Sequence, residues 1–116
     1  MALYFFDSSA LVKRYVHETG SVWVRDTTAS ASGHVIHLSL LTTAEIASAL
    51  ARRQREGSLS ALERDRLLGA FLVDCARSYL LLQVEEDVIQ RAVSLLRNYP
   101  LRTADAIQLA TAIELS

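Results

Sequence analysis

The sequence predicts an α/β fold with an open, mainly parallel sheet of three strands and helices on both faces. Three short apolar runs are typical of strands, and each is followed by two helical segments, which gives the order β-α-α-β-α-α-β-α-α. Helices between strands are too long for hairpins, so successive strands pair in parallel through right-handed crossovers. The 116 residues, of which 51% are hydrophobic, suffice for one domain with its own core.

Hydrophobic spacing and turn residues give the limits of each element. The predicted strands cover residues 2–6, 34–38 and 80–84. The predicted helices cover residues 10–17, 22–32, 42–55, 60–79, 85–97 and 103–116. Gly57 stands where a glycine commonly ends a helix. The run at 80–84 is entirely apolar, as expected for a strand that is covered on both faces.

Composition and charge exclude several classes of protein. The single cysteine, Cys75, has no partner for an internal disulfide or a thiolate metal site, so we expect an inert core residue. No apolar run approaches the ~20 residues of a membrane span, and the N-terminus lacks the pattern of a signal peptide. We therefore expect a cytoplasmic protein. The 12 basic and 13 acidic residues nearly balance, so the total charge does not indicate a nucleic-acid binder.

Two acids follow the first two predicted strands and therefore belong at one edge of the sheet. Asp7 comes directly after the first strand and Glu45 opens the helix after the second, and ligands of such sheets bind at the carboxyl ends of the strands. Each acid also has a purely structural interpretation. Asp7 is a good helix N-cap, and the segment from Thr42 to Glu45 matches a capping box. These alternatives stay open from the residues alone.

A third acid, Asp105, lies in a helix whose other residues are apolar nearly all round. Such a helix is expected inside the core, where an ionised carboxylate costs several kcal/mol unless hydrogen bonds, cations or a metal ion compensate. A capping contact with Thr103 or Arg102 would explain it structurally. Because Asp105 follows a helix, strand periodicity does not place it at the edge shared by the other two acids.

Three segments of the sequence each contain one of the acids discussed above. They are residues 4–15 (YFFDSSALVKRY) with 18–21 (ETGS), residues 41–50 (LTTAEIASAL) and residues 101–112 (LRTADAIQLATA). These segments resemble the motifs of PIN-domain nucleases, particularly the VapC toxins of bacterial toxin–antitoxin pairs. They occur in the family's order and span nearly the whole chain.

The resemblance implies a metal-dependent endoribonuclease that hydrolyses RNA phosphodiester bonds with a metal-activated water. In this interpretation Asp7, Glu45 and Asp105 are the catalytic residues and hold Mg²⁺ or Mn²⁺. Carboxylate oxygens are the ligands that these hard cations prefer. A cognate VapB-type antitoxin and a homodimer are the implied partners, beside the RNA substrate. Ser9 and Thr43 are the supporting residues of the site. The candidate RNA contacts are Lys13, Arg52 and Arg102.

The sequence departs from the family's pattern in one respect. Its members continue past the last helix into a further strand with a fourth acid, whereas this sequence ends at Ser116. We expect a single PIN-like domain over residues 1–116 that is truncated at its C-terminus and leaves a sheet edge or helix face open to a partner. The alternative function is a catalytically weak PIN-fold binding module that binds antitoxin or RNA without turnover.

Overall fold

A computed structural model describes residues 2–116 of the chain. Three strands and six helices follow one another in the predicted order. The strands are β1 (Leu3–Phe5), β2 (Val35–Ser39) and β3 (Tyr79–Leu82). The helices are α1 (Ser8–Leu11), α2 (Ser21–Thr28), α3 (Leu41–Arg55), α4 (Ala61–Arg77), α5 (Glu86–Asn98) and α6 (Thr103–Leu115). Short 3-10 turns cover Val12–Arg14 and Ser30–Ser32.

The strands form one parallel sheet in the order β1-β2-β3, so the predicted fold class is confirmed. Leu3 pairs with Val35 in one register and His37 pairs with Leu80 in the other. All three strands therefore run in the same direction, and their carboxyl ends lie at one edge. The residues after β1 and after β2 start α1 and α3 there.

The prediction that the third strand is covered on both faces is wrong for the part of the chain that the structure describes. β2 is the central strand and is buried over four of its five residues, but β3 pairs with β2 alone. Tyr79 is buried, whereas Leu80 is 53% exposed and Leu81 is exposed as well. An apolar run indicates a strand without telling how many layers cover it, because coverage depends on which elements pack there.

The end of α3 follows the prediction closely. Gly57 adopts a left-handed conformation with φ of +85°, where a residue with a Cβ atom is strained. Its N–H donates to the carbonyl of Gln54 at 3.1 Å, and the N–H of Ser58 donates to the carbonyl of Arg53 at 3.0 Å. This pair of hydrogen bonds is a Schellman motif, which satisfies carbonyls left free at the helix end.

Two separate groups of apolar side chains form the interior. The main core joins the sheet to α1–α4 and contains Leu11, Leu38, Ile46, Leu50 and Phe71, among others. A smaller core lies between α5 and α6 and is formed by Val88, Ala92, Ala106 and Ala110. The last two helices thus pack mainly on each other, and their position relative to α3 depends on fewer contacts.

A chain of hydroxyl groups crosses the main core beside Phe71. The carboxylate of Asp74 can only accept, so Tyr15 donates to its Oδ2 at 2.7 Å, and the Tyr79 hydroxyl then donates to Tyr15 at 2.6 Å. Arg14 lies 3.4 Å from the same carboxylate oxygen. Burial raises the pKa of Tyr79 to about 12, and burial, with the hydrogen bond that Tyr15 donates to Asp74, raises the pKa of Tyr15 well above its usual value. Both phenols are therefore held in the neutral form.

These pKa values predict a loss of stability in alkali. An unfolded tyrosine releases its proton near pH 10, so between about pH 10 and 12 the folded chain binds more protons than the unfolded chain. The stabilisation is complete below about pH 10 and disappears as the pH rises through about 12. We expect Tyr79→Phe to flatten this loss in urea unfolding between pH 8 and 12, whereas the exposed-site control Tyr99→Phe follows the wild-type curve. A parallel decline in wild type and Tyr79→Phe would contradict it.

The surroundings of Cys75 bear on the expectation of an inert thiol. Cys75 is partly buried against the main core, and burial followed by the charge of Asp74 raises the pKa of its thiol to about 11. The thiol is therefore protonated at neutral pH, in agreement with an inert residue.

Within residues 2–116, none of the helices combines the length and hydropathy that crossing a bilayer requires.

Candidate functional site at the carboxyl edge of the sheet

Asp7 lies just past β1 and caps the first helix. Its Oδ1 accepts a hydrogen bond from the backbone N–H of Ala10 at 2.9 Å and another from the Ser9 hydroxyl at 3.0 Å. The N-cap interpretation is thus confirmed, and it explains why α1 begins at Ser8 rather than at Ala10 as predicted. The residue is exposed, and Oδ2 accepts no hydrogen bond within residues 2–116. Capping therefore leaves one oxygen for a ligand.

Glu45 does not take part in a capping box, so that alternative is wrong. α3 begins at Leu41, its cap residue Leu40 makes no side-chain cap, and Thr42 lies inside the first turn. The carboxylate of Glu45 accepts instead from Nε2 of Gln108 on α6, at 2.6 Å. The chain does contain a capping box, between Ser60 and Glu63 at the start of α4. At α3 a tertiary contact replaces the local one.

Asp105 lies in the first turn of α6 and is exposed, contrary to the expectation of a buried carboxylate. α6 is apolar on most sides, but only part of its surface packs: Leu109 is 44% exposed and Ile113 is 36% exposed. Within residues 2–116 Asp105 makes neither a hydrogen bond nor an ion pair, so the capping alternative is not found either. Water solvates this carboxylate, which leaves both oxygens free for a ligand.

The three acids line two neighbouring cavities at this edge, with volumes of about 580 and 510 Å³. Glu45 lines the larger one beside Ser8 and Ser9, whereas Asp7 and Asp105 line the other. Neighbouring residues of the chain line different cavities, with Asp7 in the smaller and Ser8 in the larger. Gln108 in the smaller cavity is also hydrogen-bonded to Glu45 in the larger. The structure therefore brings the predicted acids to one region.

The other predicted residues divide between this region and the rest of the chain. Ser9 donates to Asp7, and Arg52 and Arg102 are exposed and line the larger cavity. Lys13 lines neither cavity, because its ammonium group donates to the carbonyl of Thr19 at 2.8 Å. The hydroxyl of Thr43 is buried without a partner in residues 2–116 and also lines neither cavity.

Sequence reasoning missed an ion pair and a buried amide near the acids. Arg53 Nη2 lies 3.1 Å from Glu18 Oε1, and both residues line the larger cavity. Gln108, which is only 5% exposed, is the polar residue that α6 buries near the acids. A glutamine among alanines and leucines was a visible signal for the latter. The ion pair joins residues 35 positions apart, which no local pattern predicts.

The donor types at this edge suit a hard divalent cation. Mg²⁺ and Mn²⁺ prefer oxygen ligands, and Mg²⁺ is commonly held by one or two carboxylates with waters in its other positions. Among residues 2–116, however, no group of three or more His, Cys, Asp or Glu side chains is close enough together to hold an ion. The chemistry of Asp7, Glu45 and Asp105 fits such a cation, with fewer than three of them as direct ligands in this arrangement.

Comparison with known proteins agrees with the fold and the motifs. The PIN domain family matches the sequence over residues 4–116. No protein of curated function matches it. Among solved structures, the chain is similar to one described as a toxin–antitoxin complex from Klebsiella pneumoniae, with a TM-score of 0.62 and 22% sequence identity. The match covers 99% of this chain and 80% of that chain. At this identity the similarity supports the fold alone.

Proposed function

Because the chain belongs to the PIN domain family, we propose that it is a metal-dependent endoribonuclease of the VapC toxin type. Proteins of this family are generally nucleases, which hydrolyse phosphodiester bonds. The observation that carries the proposal is the convergence of the three motif acids, Asp7, Glu45 and Asp105, on two adjoining cavities at the carboxyl edge of the sheet. Active sites of open parallel sheets lie at this edge.

In the proposed mechanism Asp7, Glu45 and Asp105 would hold the cation, some directly and the others through its bound waters, and the rest of the site would orient them. A bound Mg²⁺ or Mn²⁺ would supply the hydrolytic water and offset negative charge on the phosphodiester. Asp7 would offer Oδ2 to the cation, because its Oδ1 is engaged by the helix cap and by the Ser9 hydroxyl. Ser9 thereby restricts the rotation of the Asp7 carboxylate, which is the supporting role proposed for it.

Positive charge beside the acids supports binding of a polyanion. Three arginines line the larger cavity, and one of them, Arg53, is paired with Glu18. Arg52 and Arg102 form no ion pair with any residue in 2–116 and are exposed. A guanidinium group matches phosphate geometry with two parallel N–H donors. We assign these two arginines to the RNA backbone, and we keep Lys13 as a more distant candidate.

An antitoxin and a second copy of the chain are the proposed protein partners. The similar structure from Klebsiella pneumoniae is a toxin–antitoxin complex, and apolar side chains are exposed on the helices of this chain. Contiguous exposed apolar surface is typical of protein-binding faces. Exposed apolar residues of α4, α5 and α6 include Leu62, Leu72, Val73, Ile89, Val93, Leu96, Leu109 and Ile113.

The alternative is a PIN-fold module that binds RNA or antitoxin without turnover. It is favoured by one observation, the absence within residues 2–116 of three acids close enough to share an ion. The two functions differ in a single measurable property. The nuclease cleaves RNA only when a divalent cation is present, and the module binds RNA without cleaving it under any metal condition.

The decisive experiment measures RNA cleavage by the purified chain after chelation and after addition of Mg²⁺ or Mn²⁺. We expect cleavage only with metal, and at least a ~10-fold loss in Asp105→Asn, because a carboxylate that binds the cation contributes more than ~1.4 kcal/mol to the reaction. Asp105 makes no hydrogen bond in residues 2–116, so the variant should fold normally. Asp87→Asn, at an exposed acid in the first turn of α5, is the matched control. RNA binding without cleavage would establish the alternative.

A further inference from the structure

Gln108 joins the two helices that carry Glu45 and Asp105. It projects from α6, is only 5% exposed, and donates from Nε2 to Thr42 Oγ1 at 2.9 Å and to Glu45 Oε1 at 2.6 Å. Both acceptors belong to α3. Within residues 2–116, these are the hydrogen bonds that connect α3 to α6.

The chemistry of this contact requires a primary amide. A carboxylate only accepts hydrogen bonds, so the nitrogen of Gln108 must face Glu45, and its two hydrogens serve the two acceptors. Asparagine carries the same group on a shorter side chain, glutamate lacks the hydrogens when ionised, and methionine has the length without a donor. The remaining atom, Oε1, is buried and has no partner in residues 2–116. The amide is thus committed to Thr42 and Glu45.

Gln108 links α6, which packs in the smaller core, to α3, which packs in the main core. α5 and α6 enclose their own small core, and the main core lies between the sheet and α1–α4. Asp105 is one turn before Gln108 on α6, and both residues line the cavity that also contains Asp7. A displacement of Gln108 would therefore move Asp105 relative to Glu45 and release the Glu45 carboxylate at the same time.

We propose that Gln108 is a positioning residue for the acidic site, which holds the Glu45 carboxylate and sets its separation from Asp105. This inference rests on the proposed metal-dependent function. Gln108 itself does not contact the cation in this role. It acts as hydrogen-bonding partners of metal ligands generally do, by fixing ligand orientation, and removal of such a partner commonly weakens metal binding 10- to 100-fold.

The first test measures Mn²⁺ affinity by electron paramagnetic resonance of the folded chain, without RNA. Gln108→Met keeps the length of the side chain and removes the amide, and we expect about 10-fold weaker binding. The matched control is Gln90→Met, because Gln90 donates to Glu86 at 3.2 Å in the same kind of amide–carboxylate contact at an exposed site. We expect the control to bind within about twofold of wild type. Wild-type affinity in Gln108→Met would overturn the proposal.

A second comparison separates positioning from general packing. If Gln108 acts through Glu45, then Gln108→Met should weaken Mn²⁺ binding no further in a Glu45→Ala background. An equal loss in both backgrounds would mean that the glutamine supports the fold rather than the carboxylate. Should Gln108→Met fail to fold, Thr42→Val removes one acceptor of the amide and leaves Glu45 intact. We expect it to weaken binding by about threefold, and an unchanged affinity would overturn the proposal.

Nuclear magnetic resonance without metal distinguishes failure of this inference from failure of the proposed function. The side-chain NH₂ resonances of Gln108 should be protected from exchange and should shift in Glu45→Ala, whereas those of Gln90 should not move. If the wild-type chain binds no Mn²⁺ and cleaves no RNA, the proposed function fails whatever these resonances show. If Mn²⁺ binds but the Gln108 resonances exchange freely and ignore Glu45→Ala, the positioning role alone fails.

Discussion

Asp7→Asn is expected to reduce metal-dependent RNA cleavage by at least about 100-fold and to change the free energy of unfolding by less than about 1 kcal/mol. Asparagine is as good an N-cap as aspartate, and its Oδ1 can keep the hydrogen bonds from Ala10 and Ser9. The substitution therefore removes charge and little structure. The expected loss exceeds that of Asp105→Asn because Asp7 is held in place by two hydrogen bonds, whereas Asp105 is solvated by water.

The experiment compares cleavage rates and urea unfolding for wild type, Asp7→Asn and a control. Asp26→Asn is a suitable control, since Asp26 is an exposed acid on α2 that lines neither cavity. We expect the control to cleave at the wild-type rate. Wild-type cleavage by Asp7→Asn, with Mg²⁺ at a saturating concentration, would remove Asp7 from the catalytic residues and reduce it to a helix cap.

Phe71→Ala is expected to destabilise the chain by about 3 to 5 kcal/mol, a large part of the ~5 to 15 kcal/mol that holds a typical domain together. Phe71 on α4 is fully buried in the main core. Its ring meets Tyr15 edge-on with centroids 5.5 Å apart and lies 6.5 Å from the ring of Tyr79. Truncation removes apolar contact and leaves a cavity beside the hydroxyl chain that ends at Asp74.

Urea unfolding at neutral pH measures this effect, and the adjacent residue provides the control. Leu72 lies on the same helix and is 46% exposed, so Leu72→Ala should cost less than about 1 kcal/mol. Equal losses in the two variants would show that α4 does not bury Phe71 in solution. A chain too unstable to purify as Phe71→Ala can be examined as Phe71→Leu, for which a smaller loss is expected than for alanine.

Much of the fold could be predicted because its signals are local. The positions of three strands and six helices follow from apolar spacing, and Gly57 ends α3 because a left-handed residue closes the helix there. The parallel order follows from the length of the connections. The observed start of α1 lies two residues before the predicted start because Asp7 caps the helix. A pattern of apolar residues does not show which residue is the N-cap.

The candidate site was predictable in composition and only partly in arrangement. Asp7 and Glu45 reach one edge of the sheet by topology, and Asp105 is at that edge as the motif implied. The surroundings of Asp105 were predicted wrongly, because the sequence predicts a buried carboxylate and the residue is exposed. How much of a helix is buried depends on which elements pack against it. Thr42 and Glu45 do not form a capping box. Both side chains accept hydrogen bonds from Gln108 instead, a residue more than 60 positions away.

The sequence by itself indicated the strands and helices, the family and the three motif acids that are the candidates for the site, because these depend on short-range spacing and on motifs. Only the tertiary structure decided that Gln108 is buried against Glu45, which oxygens of Asp7 and Glu45 are engaged, and how the acids divide between two cavities. Such contacts join residues far apart in the chain, and their energies depend on distances of a few ångströms that no local pattern contains.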